Sequence, residues 1–173
     1  IRKSLVGSEM CIRDSGTAFD DVVGNSYTGI SDKTTLSFTT GDTTVPTLTS
    51  TTPSDNATVI AVDSSIVLNF SEAVDVETGN IVIYKTSDNS EVESIDVTSN
   101  QVTGSGTSQI TIDPSVTLES TTEYYIKIDA TAFDDPFSNS YAGINDTTAL
   151  SFTTEDIVGP SLSSSTPVSY THL

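Results

Sequence analysis

The chain has 173 residues, of which 24 are Asp or Glu and six are Lys or Arg, giving a formal net charge of −18. A negative charge of this size repels nucleic acid and anionic membranes, so neither is expected as a partner. No run of 18 or more apolar residues occurs, which argues against membrane insertion in this stretch. The single cysteine, Cys11, lies near the start, so no disulfide is expected to staple the rest of the chain.

The chain repeats itself at a spacing of 114 residues (131 minus 17). Residues 17–21 (TAFDD) return as residues 131–135, and the match continues downstream. Between 17–53 and 131–167, 23 of the 37 aligned pairs are identical. A fixed period of this kind indicates tandem modules in an array.

The match stops abruptly at both ends of the chain. Residues 1–15 and 168–173 resemble translated sequencing-adapter artefacts, and together they hold the only Cys, Met and His. We predict that both are non-native; a divergent flanking domain is the alternative. The predicted organisation is a non-native segment (1–15), the C-terminal part of a preceding repeat (16–40), one complete repeat (41–154), a linker with the start of the next repeat (155–167), and a second non-native segment (168–173).

Short apolar segments alternate with turn residues through the complete repeat, as is typical of an all-β sandwich or barrel. Strands are predicted, in chain order, at residues 65–70, 80–84, 92–97, 109–113, 124–128 and 150–152. Period-two alternation selects Phe70, Ile83, Ile126 and Phe152 as core residues. About seven strands in about 110 residues predicts an immunoglobulin-like (Ig-like) antiparallel β-sandwich, present in tandem repeats.

Several ordered motifs of this repeat resemble one known family. Residues 52–57 (TPSDNA), 68–74 (LNFSEAV) and 150–154 (LSFTT) are similar to the SbsA-type bacterial Ig-like domain. The resemblance implies an Ig-like β-sandwich that occurs in tandem in large secreted and cell-surface bacterial proteins, including S-layer and adhesin-like proteins. One segment departs from the family, because residues 58–61 (TVIA) lack the Gly or Asp that such a turn often carries.

The sequence offers little that catalysis could use. Residues 16–167 contain neither His nor Cys, and the plentiful Ser and Thr have no base to activate them. No Gly-x-Ser-x-Gly motif is present. The glycines on either side of Ser105 predict a hairpin turn, because the Lys and the helix of a phosphate loop are missing. We therefore expect no enzymatic activity.

Oxygen-bearing side chains gather around one loop of the repeat and the linker before it. Ca²⁺ takes six to eight oxygen ligands, from carboxylates, carbonyls and amides. The candidate metal ligands are Asp42, Glu72, Asp75, Asp134, Asp135 and Asn139. A calcium ion held by them would neutralise crowded carboxylates and stiffen a junction between modules, which Pro46 already makes semi-rigid. The alternative is a solvated acidic loop capped by Asx-turns.

The leading functional hypothesis is a structural spacer or stalk module of a tandem Ig-like array, with neighbouring repeats of the same chain as its partners. One alternative is an adhesion module that binds a surface glycan or protein through Tyr27 or Tyr141, or through the outward-facing Tyr84 and Tyr125. Another is an accessory domain of a secreted hydrolase. Each hypothesis places the protein outside a bacterial cell or on its surface.

Overall fold

The computed structural model describes residues 2–6, 9–14, 16, 18–32 and 34–165. The chain divides into two compact units, Ile1–Thr43 and Thr44–Leu173. All regular secondary structure in the described residues is β-strand, which confirms the predicted all-β class. Among those residues, no helix is long and apolar enough to cross a membrane.

The first unit contains a three-stranded antiparallel sheet. Its strands are β1 (Arg2–Val6), β2 (Glu9–Arg13) and β3 (Ser37–Thr39), and they lie side by side in chain order. Two of the three strands fall within residues 1–15, whose non-native origin stays a prediction. The stretch between β2 and β3 carries an isolated antiparallel bridge from Asp20 to Ser26.

The second unit consists of two five-stranded sheets. The first sheet is built from β4 (Leu48–Thr52), β6 (Ile66–Val76), β9 (Val102–Thr103), β10 (Thr107–Ile112) and β12 (Phe133–Asp134). The second sheet is built from β5 (Ala57–Ile60), β7 (Asn80–Lys85), β8 (Glu91–Asp96), β11 (Glu123–Ile128) and β13 (Ser151–Thr154). This is the predicted Ig-like sandwich.

Strand β6 is the centre of the first sheet. It pairs antiparallel with β10, with β4 through its first residues, and with β12 through its last two. Successive side chains of a strand point to opposite faces, so the alternation of Ile66, Leu68 and Phe70 places all three on one side. All three are buried in the core, as predicted.

The second sheet has the order β5-β13-β11-β7-β8, with a parallel pairing only between β5 and β13. Strand β7 therefore has a neighbour on each edge. Its Ile81 and Ile83 are buried in the core, and Val82 and Tyr84 on the other face are half-buried. This confirms the expectation that a segment apolar on both faces is a central strand.

The predicted core residues Phe70, Ile83, Ile126 and Phe152 all belong to one buried cluster. Tyr124, at the start of β11, is buried beside them, and its hydroxyl oxygen accepts a hydrogen bond from the backbone N–H of Glu119 at 2.9 Å. A tyrosine that bonds back to the chain a few residues upstream is the tyrosine corner of Ig-like sandwiches.

The second unit has ten described strands, against the predicted number of about seven. The additional ones are short, and two of them, β9 and β12, have only two residues each. Strand β5 contains Val59 with a φ of 60°, in the left-handed region. This residue lies in the segment that departs from the family motif, so the departure coincides with an unusual backbone conformation.

Candidate functional site at the acidic loop

The loop after β12 is folded around the side chain of Asp135. Its Oδ1 accepts hydrogen bonds from the backbone N–H groups of Phe137 and Asn139, at 2.8 and 2.7 Å. Its Oδ2 accepts a third from the side-chain amide of Asn139 at 2.7 Å. Burial of this carboxyl favours its neutral form, but the hydrogen bonds outweigh that effect and hold the pKa of Asp135 below its ordinary value.

The same loop occurs in the first unit, 114 residues earlier. The Asp21 carboxylate accepts from the backbone N–H groups of Val23 and Asn25, at 3.0 and 2.8 Å, and from the Asn25 amide at 2.8 Å. The hydrogen bond from the Asn25 side chain is the main reason why the pKa of Asp21 is lowered. Both loops therefore contain an Asx-turn, since each is closed by its own aspartate.

Four of the predicted acidic ligands lie on the second half of β6 or on the segment that pairs with it, and we call this region the acidic end: Glu72, Asp75, Asp134 and Asp135. Asp75 and Asp134 are direct partners in the β6–β12 pairing. A carboxylate oxygen of Glu72 lies within 4.8 Å of one of Asp135. The backbone pairing of β6 with β12 thus brings together residues that are far apart in sequence.

A turn from the neighbouring strand also reaches the acidic end. The Ser105 hydroxyl donates a hydrogen bond to Asp75 Oδ1 at 3.4 Å and accepts one from the Val76 N–H at 3.0 Å. Gly104 and Gly106, on either side of Ser105, both have positive φ values, of 102° and 80°. The hairpin turn predicted here is confirmed, and Ser105 supplies a further oxygen atom that sequence reasoning did not assign to the site.

The two lysines of the second unit, Lys85 and Lys127, have partners outside the acidic end. Lys85 makes an ion pair with Glu119 at 2.6 Å. The ammonium group of Lys127 lies 6.0 Å from the centre of the Tyr84 ring and 3.5 Å from Asn145 Oδ1. Like charges at short range repel each other, so a cation at the acidic end would be electrostatically favourable.

The two remaining candidate ligands, Asn139 and Asp42, lie in different parts of the structure. Asn139 is part of the Asp135 loop, where its amide group is a donor. Asp42 is half-buried and lies in the first unit, two residues before the second unit begins at Thr44.

The aromatic residues predicted to be exposed are partly buried. Tyr141 is a core residue whose ring meets Phe70 edge-on, with ring centres 5.1 Å apart, and burial raises the pKa of its hydroxyl. Tyr125 is also buried, because its ring stacks on Tyr84 at 5.1 Å and its hydroxyl donates to Asn89 Oδ1 at 3.2 Å. The expectation that Tyr141 and Tyr125 are exposed was wrong, whereas Tyr27 is exposed in the first unit.

Sequence reasoning missed a second carboxylate that organises loops. The half-buried Glu93 accepts hydrogen bonds from the Ser115 hydroxyl at 2.6 Å, from the Gln101 side chain at 2.9 Å and from the Val116 N–H at 3.3 Å. A lone Glu on a strand carries no sequence signal for this role, because its partners come from separate segments of the chain.

Comparison with known proteins found two similar solved structures and one matching family. The crystal structure of CopC from Methylosinus trichosporium OB3b is similar over 67% of this chain and 99% of that chain, at 18% identity and a TM-score of 0.47. The crystal structure of the S-layer protein rSbsC(31-844) is similar over 68% of this chain and 14% of that chain, at 18% identity and a TM-score of 0.41. No curated protein matches the chain significantly. The family model described as bacterial Ig-like domain matches residues 42–154, and the chain belongs to this family of bacterial Ig-like domains.

Proposed function

We propose that the chain is a spacer module of a tandem array of bacterial Ig-like domains, in a secreted or cell-surface protein. One observation carries the proposal, namely that the same aspartate-centred loop forms at both places where the sequence repeats. The equivalence extends to the next glycine, since Gly29 and Gly143 have φ values of 77° and 73°. At Gly143 a Cβ would lie 2.5 Å from the carbonyl oxygen of Ile128, so the position requires glycine.

A spacer should hold its modules in a row, and small-angle scattering measures this directly. Three copies of residues 41–154 joined in tandem should have a radius of gyration of about 30 Å if the modules lie end to end, from the size of a compact domain. The same number of residues packed into one globule would give about 20 Å. A value near the smaller figure would contradict the spacer role.

We further propose that calcium binds at the acidic end and stiffens the junction with the preceding module. The closeness of Glu72 to Asp135 and the pairing of Asp75 with Asp134 support this, because hard carboxylate oxygens suit Ca²⁺. A carboxylate has about four lone-pair sites, and three on Asp135 already accept hydrogen bonds. Asp135 would therefore give one oxygen only, and Asn139 its side-chain carbonyl.

Asp42 would be the ligand that couples calcium to the junction. Its position in the segment that leads into the complete repeat favours this role. The bound ion would then stiffen the linker as well as the sandwich.

Thermal unfolding in calcium, magnesium and chelator tests this proposal. Free Ca²⁺ at about 100 times its dissociation constant should add roughly 2.7 kcal/mol to the stability, or about 10 °C in Tm for a domain of this size. The shift should disappear in Glu72→Gln plus Asp134→Asn. The matched control Asp63→Asn removes an exposed carboxylate elsewhere and should keep the shift. An equal response to magnesium, or no response to calcium, would contradict a calcium site.

Adhesion is the second candidate function, and one cavity favours it. A cavity of about 240 Å³ is lined by polar side chains beside the Tyr125 ring, among them Asn56 and Asn89. Amides next to an aromatic face are suited to bind sugar hydroxyls. Screening the protein on a glycan array, with Asn89→Ala as the comparison, tests this role; the spacer hypothesis expects no glycan to bind.

A further inference from the structure

The chain stays attached to the sandwich beyond the end of its last strand. Strand β13 ends one residue before Glu155, whose N–H donates a hydrogen bond to the carbonyl oxygen of Ile60 at 2.8 Å. The carbonyl oxygen of Glu155 accepts a hydrogen bond from the N–H of Thr121 at 3.0 Å. Residues 155–158, which we call the exit segment, therefore begin in contact with both β5 and the turn that contains Thr121.

One hydroxyl group organises the exit segment. Ser120 Oγ accepts a hydrogen bond from the N–H of Ile157 at 3.1 Å, and it donates one to the carbonyl oxygen of Glu155, also at 3.1 Å. The side chain of Asp156 closes the segment further, because its Oδ1 accepts from the N–H of Val158 at 2.9 Å. Ser120 thus holds backbone groups on both sides of Asp156.

Hydrogen bonds are the main attachment of this segment, because its apolar side chains are largely exposed. Ile157 and Val158 are 59% and 72% exposed, so burial contributes little. Thr121 has a φ of 54°, in a region that a β-branched residue adopts only where its surroundings hold it there. The turn therefore has a specific conformation, in which the Thr121 N–H and the Ser120 hydroxyl both meet the exit segment.

We propose that Ser120 is a positioning residue that fixes the direction in which the chain leaves the repeat. The inference rests on the proposed spacer function, since in a tandem array the exit segment leads into the next module. A segment that is held at its first residues cannot act as a free hinge there, so the array would be stiffened from within each module.

The contact does not require a particular linker sequence. The two bonds of 3.1 Å from Ser120 to the exit segment are made with backbone groups, which every residue other than proline supplies in full. The counterpart of the exit segment 114 residues earlier, residues 41–44, reads GDTT where the exit segment reads EDIV. The same hydroxyl could therefore hold linkers whose side chains differ from one repeat to the next.

Backbone relaxation and amide exchange of the isotope-labelled 173-residue protein test the proposal. In the parent protein, the amide of Ile157 should have an order parameter of about 0.85, the value of a rigid backbone. Ser120→Ala should lower it below about 0.6 and should speed amide exchange roughly two- to tenfold, because the N–H loses its acceptor. Ser120→Thr keeps the hydroxyl and should restore the parent values.

Thr117→Ala is the matched control, because Thr117 is exposed in the same loop and is not among the residues that bond the exit segment. It should leave Ile157 unchanged. The order parameters of Ser151–Thr154 should be the same in every variant, which separates a local release of the exit segment from a general loss of stability.

Three results would overturn the proposal: a mobile exit segment in the parent protein, an Ile157 amide that does not respond to Ser120→Ala, or an equal loss of order in β13. The scattering of the three-module protein tests the spacer role separately. An extended array in which Ser120→Ala leaves Ile157 unchanged would remove this inference and leave the spacer function standing. A compact array would remove the spacer function even where Ser120 holds the exit segment.

Discussion

Replacing Val59 by glycine should stabilise the protein, although glycine usually weakens a strand. Val59 has a φ of 60°, and β5 advances by three residues, from Ala57 to Ile60, where β13 advances by two, from Phe152 to Thr154. Such a bulge normally takes glycine, because a β-branched residue is strained in the left-handed region.

Three terms set the size of the effect. Relief of the backbone strain is worth about 2 kcal/mol. The greater freedom of glycine in the unfolded chain opposes it by about 0.5–1 kcal/mol. The side chain of Val59 is 74% exposed, so the loss of burial costs only about 0.5 kcal/mol. The net expectation is a gain of about 0.5–1 kcal/mol, or a rise in Tm of about 2–5 °C.

Urea unfolding followed by far-ultraviolet circular dichroism measures the change as a shift of the midpoint at constant slope. Thr58→Gly is the matched control, because Thr58 is also exposed in β5 but is not among the residues with positive φ. That variant should lose about 0.5–1 kcal/mol. If both glycine variants are destabilised alike, the left-handed conformation of Val59 does not exist in solution and the reasoning fails.

Three further substitutions test the core, the corner and the loop. Phe70→Ala should cost about 3–5 kcal/mol in urea unfolding, whereas Phe137→Ala, at a ring that is 61% exposed, should change stability by less than about 0.5 kcal/mol. Tyr124→Phe should cost about 1 kcal/mol by thermal unfolding, because the Glu119 N–H loses its partner. Because the folded-state pKa of Asp135 lies below its ordinary value of 3.8, its contribution to stability is complete above about pH 4 and is lost as the pH falls through the folded pKa. Asp135→Asn should therefore lose less stability between pH 5 and pH 2 than the parent chain, and identical acid profiles would contradict a structural role for this carboxylate.

The features that the sequence predicted well are those encoded within a few residues. The alternation of Ile66, Leu68 and Phe70 specifies a strand and its buried face without knowledge of any other segment. Strand β12 could not be found in this way, because its two residues form a strand only by pairing with the end of β6. The backbone of Val59 is another such case, since it depends on how β5 lies against β13.

The same distinction between local features and features that depend on distant segments applies to the candidate site. The spacing of Asp135 and Asn139 correctly indicated one loop, because Asx-turns are local structures. Asp134, which was expected in the same loop, lies in β12. Burial of Tyr141 was not predictable from that loop, since it requires the ring of Phe70 from a distant strand. Identical motifs can therefore differ in exposure, as Tyr27 and Tyr141 do in the two units.

The contrast between the two units also bears on what calcium would do. The Asp21 loop keeps the hydrogen bonds of the Asp135 loop although Phe19 is exposed and Phe133 is fully buried. The loop geometry therefore follows from the Asp-x-x-x-Asn spacing itself and does not depend on burial of the neighbouring aromatic ring. A calcium ion would act on the repulsion among the other carboxylates of the acidic end, so its stabilising effect should depend more on Glu72 than on the Asp135 loop.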